Sequence, residues 1–210
     1  MSAERKIDNF SMRVWLETIE NIIGTFGLKS ILNYARLQKY IDAFPPDNDV
    51  LEIPMEDYAA LTRSLIELFG IKGARSLQIK AGKEFVRIGI EKRPGIARTL
   101  QMAGRLMPET MKMHLTLVKW KEESEKRFPS LVCNPRIELE EEEDYFLLID
   151  KDHPESDGIL SETPICGIYR GILQAMIEWC TGHHHRVEEI ECRAMGYPSD
   201  VFRIWKSREK

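Results

Sequence analysis

The sequence predicts an α+β fold, with a helical N-terminal part over residues 1–135 packed on a small antiparallel sheet and one long amphipathic helix over residues 136–208. Three observations carry this. From Ser11 onward the apolar residues recur at helical spacing. At "RIELEEEEDYFLLID" the pattern turns to alternation with strand formers. Between the later strands, "TPICGIYRGILQAMIEWCTG" places one continuous apolar stripe on a helix. With no repeat and no flexible linker, the two parts are expected to form one compact unit.

Taken in order, Met12, Trp15, Leu16, Ile19, Ile22, Ile23 and Phe26 describe the first helix, and Gly27 is its expected stop. A second helix is expected from Leu28 to Ala43, where "FPPDND" breaks the chain. Pro54 can open a third, with Tyr58, Leu61, Leu65 and Phe69 facing inward. "GIKGARSLQIKAGKEFVRIGIEKR" suits a helix by its apolar positions, although Gly73, Gly82 and Gly89 oppose one. A short helix is expected after Pro94-Gly95 through Leu100, and a longer charged one from Glu109 to Arg127, ended by Pro129. Arg136 to Asp150 reads as one bent strand or a hairpin, and "KDHPESDG" as a turn-rich loop. In the amphipathic helix Thr163 is the expected cap, Pro164 the first position and Gly182 the end. "RVEEIECRA" and "DVFRIWK" then read as two strands around "MGYPS".

The composition excludes several classes. A net charge of -4 argues against a general phosphate-binding surface, so nucleic acid is not the expected partner. No apolar run spans a bilayer and "MSAERKIDNF" has no secretory core, so a cytoplasmic location is expected. Four cysteines in 210 residues do not make a disulfide scaffold and are expected as thiols or ligands. No nucleophile elbow, P-loop or dinucleotide fingerprint is present, and no catalytic residues are assigned. "GIKGAR" lacks the spacing of a phosphate cradle, Cys180 falls on the apolar stripe, and "ELEEEEDY" reads as a solvated face. "GHHHR" reads as a solvated connection, since adjacent residues in a turn rarely converge on one ion.

One region gathers metal-ligating types. Cys166 opens the amphipathic helix, while Glu188, Glu189, Glu191, Cys192 and Asp200 lie in "EEIECRAMGYPSD", and thiolate and carboxylate are both accepted by zinc. In a regular strand Glu189 and Cys192 point to opposite faces, so joint ligation requires a bulge between them.

"ECRAMGYPSD" followed by "VFRIW" resembles the closing motif of the 4-vinyl reductase domain family. That family includes bacterial hydrocarbon-binding proteins, the sensory domains of phenol- and xylene-responsive activators, and a bacteriochlorophyll-synthesis accessory protein. Its fold is similar to that of Bet3-like vesicle-tethering proteins, within the NO-signalling ligand-binding superfamily type. The resemblance implies a structural zinc, or another divalent metal, on Cys166, Glu189 and Cys192, with Asp200 where the sensor members have a cysteine. A hard oxygen there is expected to weaken zinc relative to other divalent ions. Tyr197 stands where the family often has histidine.

The resemblance further implies an apolar pocket between the helices and the sheet for a small hydrophobic or aromatic ligand. Tyr145, Phe146, Tyr169 and Met176 are its candidate lining. Tyr145 lies 21 positions before Cys166, near where the phenol sensors place an aromatic pocket residue. The expected function is small-molecule binding or sensing as a homodimer, bundled through its N-terminal helices, and reporting to a separate signalling partner. With no ATPase or DNA-binding segment before Lys210, the chain is not expected to act alone as a transcription activator. An accessory protein or reductase of tetrapyrrole vinyl-group reduction, and an assembly scaffold, are the alternatives. Their discriminators are bound flavin or turnover for the first, and a core without a ligand-sized cavity for the second.

Overall fold

The computed structural model describes residues 5–92, 107–130 and 132–209. The short helix expected between Pro94 and Leu100 lies outside them. The fold is α+β. A short strand β1 (Lys6–Asp8) leads into helix α1 (Asn9–Tyr34), and β2 (Leu51–Pro54) into helix α2 (Met55–Lys92). Helix α3 (Glu109–Arg127) is followed by β3 (Ile137–Glu141), β4 (Tyr145–Asp150), helix α4 (Gly167–Thr181), β5 (His185–Glu191) and β6 (Asp200–Arg208). β1 and β2 pair antiparallel, and the main sheet has the order β3-β4-β6-β5, antiparallel throughout.

Asp8 caps α1, its carboxylate accepting from the Ser11 N–H and hydroxyl at 2.9 and 2.8 Å. The helix then breaks at Gly24, where φ is 78°, and not at Gly27. Both are glycines at the end of the same stripe, and spacing alone does not separate them. The next helical segment stops at Tyr34, well short of Ala43, and leaves only a single 3-10 turn at Gln38–Tyr40. α2 runs through the ambiguous glycine-rich stretch to Lys92, broken once at Gly70 with φ 69°. Tyr58, Leu61 and Leu65 are buried as expected, but Phe69, next to that break, is 45% exposed.

α3 has the bounds its sequence indicates, and residues 136–150 form a hairpin. In β4 alternate residues are buried, Phe146, Leu148 and Asp150 facing the helices. α4 begins at Gly167, three residues later than Pro164, with Cys166 at the N-cap and Gly182 in the left-handed conformation at its end. α2 and α4 cross at glycines. A Cβ on Gly82 would stand 2.1 Å from the Ile168 carbonyl oxygen, and one on Gly171 would stand 2.2 Å from that of Ile79. The core fills the space between the four helices and the inner face of the sheet, with Trp15, Leu61, Tyr169, Phe146 and Phe202 among its largest buried side chains.

Candidate functional site

Two features meet at the start of α4. The first is a cluster of Cys166, Glu189, Cys192 and Asp200, whose ligating atoms all lie within 4.8 Å of one another. The sulfurs of Cys166 and Cys192 are 4.0 Å apart, and Cys166 Sγ lies 3.6 Å from Asp200 Oδ1. Two thiolates on one tetrahedral zinc stand about 3.8 Å apart, from a Zn–S bond of about 2.3 Å. The local folding explains how distant residues meet. The β5–β6 register shifts between Glu189 and Glu191, a bulge that returns Glu189 to the face Cys192 occupies. A 3-10 turn at Arg193–Met195, closed by Gly196 at φ 90°, then brings Asp200 back. Asp200 is oriented by the Ser156 hydroxyl at 2.6 Å and the Arg193 N–H at 2.7 Å.

The electrostatics of the cluster are those of crowded acids. Burial pushes Glu189 up to about 7, with Asp200 and Glu155 adding to the shift. Burial pushes the Cys166 thiol well above its ordinary value, and the neighbouring carboxylates reinforce it. Glu189 Oε2 accepts the Cys166 N–H at 3.0 Å, while its Oε1 is buried without a partner. An orphaned carboxylate oxygen beside two buried thiols is a donor set that a divalent cation fits, because the cation supplies the charge that burial withholds.

The second feature is a cavity of about 30 Å³ in the core. Its wall includes Trp15, Tyr58, Phe85, Trp120, His153 and Tyr169. The indole N–H groups of Trp15 and Trp120 make no hydrogen bond. Nor does the Tyr169 hydroxyl, which has Trp120 and Ser124 beside it at longer range. His153 stacks on Tyr169 with ring centroids 4.4 Å apart. Its ring nitrogens reach Asp150 at 3.2 Å and Glu155 at 3.3 Å. Burial opposes a charged ring, but the two carboxylates outweigh it and lift His153 to about 9. Glu155 in turn accepts the N–H groups of Ile168 and Tyr169, both at 2.9 Å, and so caps α4 in place of Thr163. Glu155 and His153 also lie close enough to Cys166 to form a second possible ligand group.

Of the four expected pocket residues, Tyr169 walls this cavity. Phe146 is fully buried in the sheet, Tyr145 lies against Trp205 on the opposite face, and Met176 packs beside the core. The four are not brought together around one space. His183 and His184 are exposed, but His185 is buried, held by the Trp205 carbonyl at 3.0 Å and Glu109 at 2.8 Å. The loop "KDHPESDG" differs from its turn-like composition: Asp152, His153, Glu155 and Ser156 are all buried in it. The paired acids flanking one histidine are its only sequence signal.

The family model for the 4-vinyl reductase domain matches residues 151–206. No match was found among curated proteins. Among solved structures, an Fe(II) unliganded H-NOX protein from K. algicida is similar at 14% identity and TM-score 0.63, with 97% of this chain and 98% of that one covered. An H-NOX from Shewanella woodyi in the Fe(II)CO ligation state gives 17% identity and TM-score 0.58, covering 95% of this chain and 94% of that one. The phenol-responsive sensory domain of the transcription activator PoxR, solved with phenol, gives 14% identity and TM-score 0.51, covering 77% of this chain and 79% of that one. Haem does not fit the described residues. The cavity is about 30 Å³, and the imidazole on its wall has both nitrogens engaged. With the closing motif, the family model and the shared fold agreeing, the chain over residues 151–206 belongs to the 4-vinyl reductase domain family.

Proposed function

We propose that this chain is a sensory domain that takes a small aromatic molecule into its core cavity and reports the event to a partner. A divalent metal on Cys166, Glu189, Cys192 and Asp200 braces the start of α4 against β5 and β6. The observation that carries the reading is the set of unpartnered polar groups on an aromatic wall: Trp15 Nε1, Trp120 Nε1 and the Tyr169 hydroxyl. Buried donors without acceptors are costly unless something satisfies them, and an aromatic ligand carrying an oxygen would. Phenol, bound in the similar sensory domain, has that chemistry.

A cavity of about 30 Å³ holds one water, whereas a benzene-sized guest occupies a cavity on the order of 150 Å³. Binding therefore requires the wall to open, and a ligand that selects an expanded state is what a sensor needs. The metal is structural in this reading: it holds the N-terminus of α4 in place and takes no part in chemistry. Zinc is accepted by the donor set, and the Asp200 oxygen widens acceptance to harder divalent ions. A second copy of the chain, meeting it through the N-terminal helices, is the proposed dimer; the exposed Phe26 and Phe69 beside the helix breaks support it.

Titration of the native protein with phenol, by calorimetry and native mass spectrometry, tests the reading. One phenol per chain is expected, weakened about fivefold in Trp120→Phe, the loss of one neutral hydrogen bond. The same spectra should show a dimer. Absence of binding to phenol and to alkylphenols would favour the scaffold instead, which the small size of the cavity supports. Turnover with a reduced cofactor would favour the reductase.

A further inference from the structure

We propose that Arg75 and Arg170 form a binding site for a small oxyanion, a carboxylate or phosphate group, on the outer side of the first turn of α4. A pocket of about 150 Å³ lies there, separate from the core cavity and lined by Arg75, Pro164, Gly167, Arg170, Glu188 and Glu189. Among the described residues the guanidinium of Arg170 has neither a hydrogen bond nor an ion pair, and its Nε is buried without a partner. Other half-buried or buried arginines of the fold are engaged: Arg136 by Asp150 at 2.7 Å, Arg127 by Asp8 at 3.2 Å and Arg5 by Asp152 at 3.0 Å. A half-buried guanidinium left over is an open valence.

Arg75 faces the same space from α2. Its Nη2 donates to the Pro164 carbonyl at 2.5 Å and the Thr163 hydroxyl at 3.3 Å, which fixes the side chain while leaving Nη1 and Nε uncommitted. Two guanidinium forks from different helices are the arrangement that oxyanions select, each fork giving two parallel N–H donors. "GIKGAR" contributes here through its arginine side chain and not through a backbone cradle.

The two carboxylates refine the ligand class. Glu188 is already engaged by Arg186 and by the Trp205 indole at 3.3 Å. Glu189 spends Oε2 on the Cys166 N–H, and its Oε1 stays buried and unpartnered while lining the pocket without closing an ion pair to Arg170. The open positions are thus several donors and one acceptor. A hydrogen phosphate, or a carboxylate bearing one hydroxyl or amino group, is complementary to that inventory. A volume equal to about five waters suits such a group and excludes a nucleotide.

The test is calorimetric titration of the full chain with inorganic phosphate and, separately, with lactate, each against chloride at equal ionic strength. Metal content is measured before and after, so that stripping of a bound ion is seen as such. Saturable binding of one probe is expected, and which probe binds separates the phosphate from the carboxylate source. Arg170→Gln and Arg75→Gln are each expected to weaken it roughly tenfold or more, the cost of losing a charge-assisted contact. Arg170→Lys should recover part of the loss, and Arg63→Gln on the exposed surface should change nothing. Circular dichroism establishes that each variant is folded. No saturable binding of either probe, or equal affinity in wild type and Arg170→Gln, overturns the proposal.

Discussion

His153 lies flat against Tyr169 with a carboxylate at each ring nitrogen, so its charge is part of the folded state. The groups that face it are Asp150 and Glu155, with Arg136 beyond Asp150 at 2.7 Å. Its folded value of about 9 stands above the ordinary 6.5, so its contribution is complete below pH 6.5 and is lost as pH rises through 9. The contribution is at most about 3 kcal/mol. Chemical denaturation between pH 6 and 9.5 should show stability falling over that window, and His153→Gln should flatten the fall; an unchanged slope in the variant would assign it elsewhere. The residues of the cluster and those of this pair differ in how far sequence reveals them. Cys166, Glu189, Cys192 and Asp200 are conspicuous types, and the bulge that unites Glu189 with Cys192 is demanded by strand alternation itself. His153 and Glu155 sit in a stretch whose proline, glycine and acids have the composition of a surface turn. They are buried because α4 supplies N–H groups to Glu155, a partner 13 positions away that composition does not display.

At the scale of elements, the crossing of α2 and α4 is set by what is missing from two side chains. The oxygens of Ile168 and Ile79 occupy the places where Cβ atoms of Gly82 and Gly171 would be. Gly171→Ala must push the helices apart, at a cost of about 3 kcal/mol or more, since overpacking in a closed contact displaces backbone. Gly89→Ala, on the same α2 but with nothing within 4 Å of its Cβ, should instead gain a few tenths to about 1 kcal/mol from helix propensity. Denaturant midpoints of the two variants should move in opposite directions, and a shared direction would mean that the crossing is not closely packed. By propensity Gly82 opposes a helix in that stretch, yet together with Gly171 it is why α2 packs where it does. The stripe of α4 and the ends of α3 are legible because propensity and burial agree there. The break at Gly24, with its neighbour Gly27 equally placed, is not.

For the whole molecule, the first turn of α4 is a junction. Cys166 belongs to the clustered acids, Gly167 and Arg170 to the arginine pocket, and Ile168 and Tyr169 to the cavity wall, with Glu155 capping the turn from below. An ion on Cys166 and its three partners would join α4, β5 and β6 at one point, while α1 and the first half of α2 have their own packing. The metal content of untagged protein should therefore be close to one per chain and fall in Cys192→Ser and Asp200→Ala, each of which removes a donor. Amide hydrogen exchange in loaded protein should be slowest around residues 166–170 and 187–193 and speed up there after chelation. Protection near His153 and Glu155 should fall with it, because Glu155 holds the N–H groups of that turn. Protection of α1 should stay as it was. Protein without metal, whose exchange is the same in both variants as in the wild type, would mean that the turn is held by packing and by Glu155 alone, and that the four donor atoms meet without an ion.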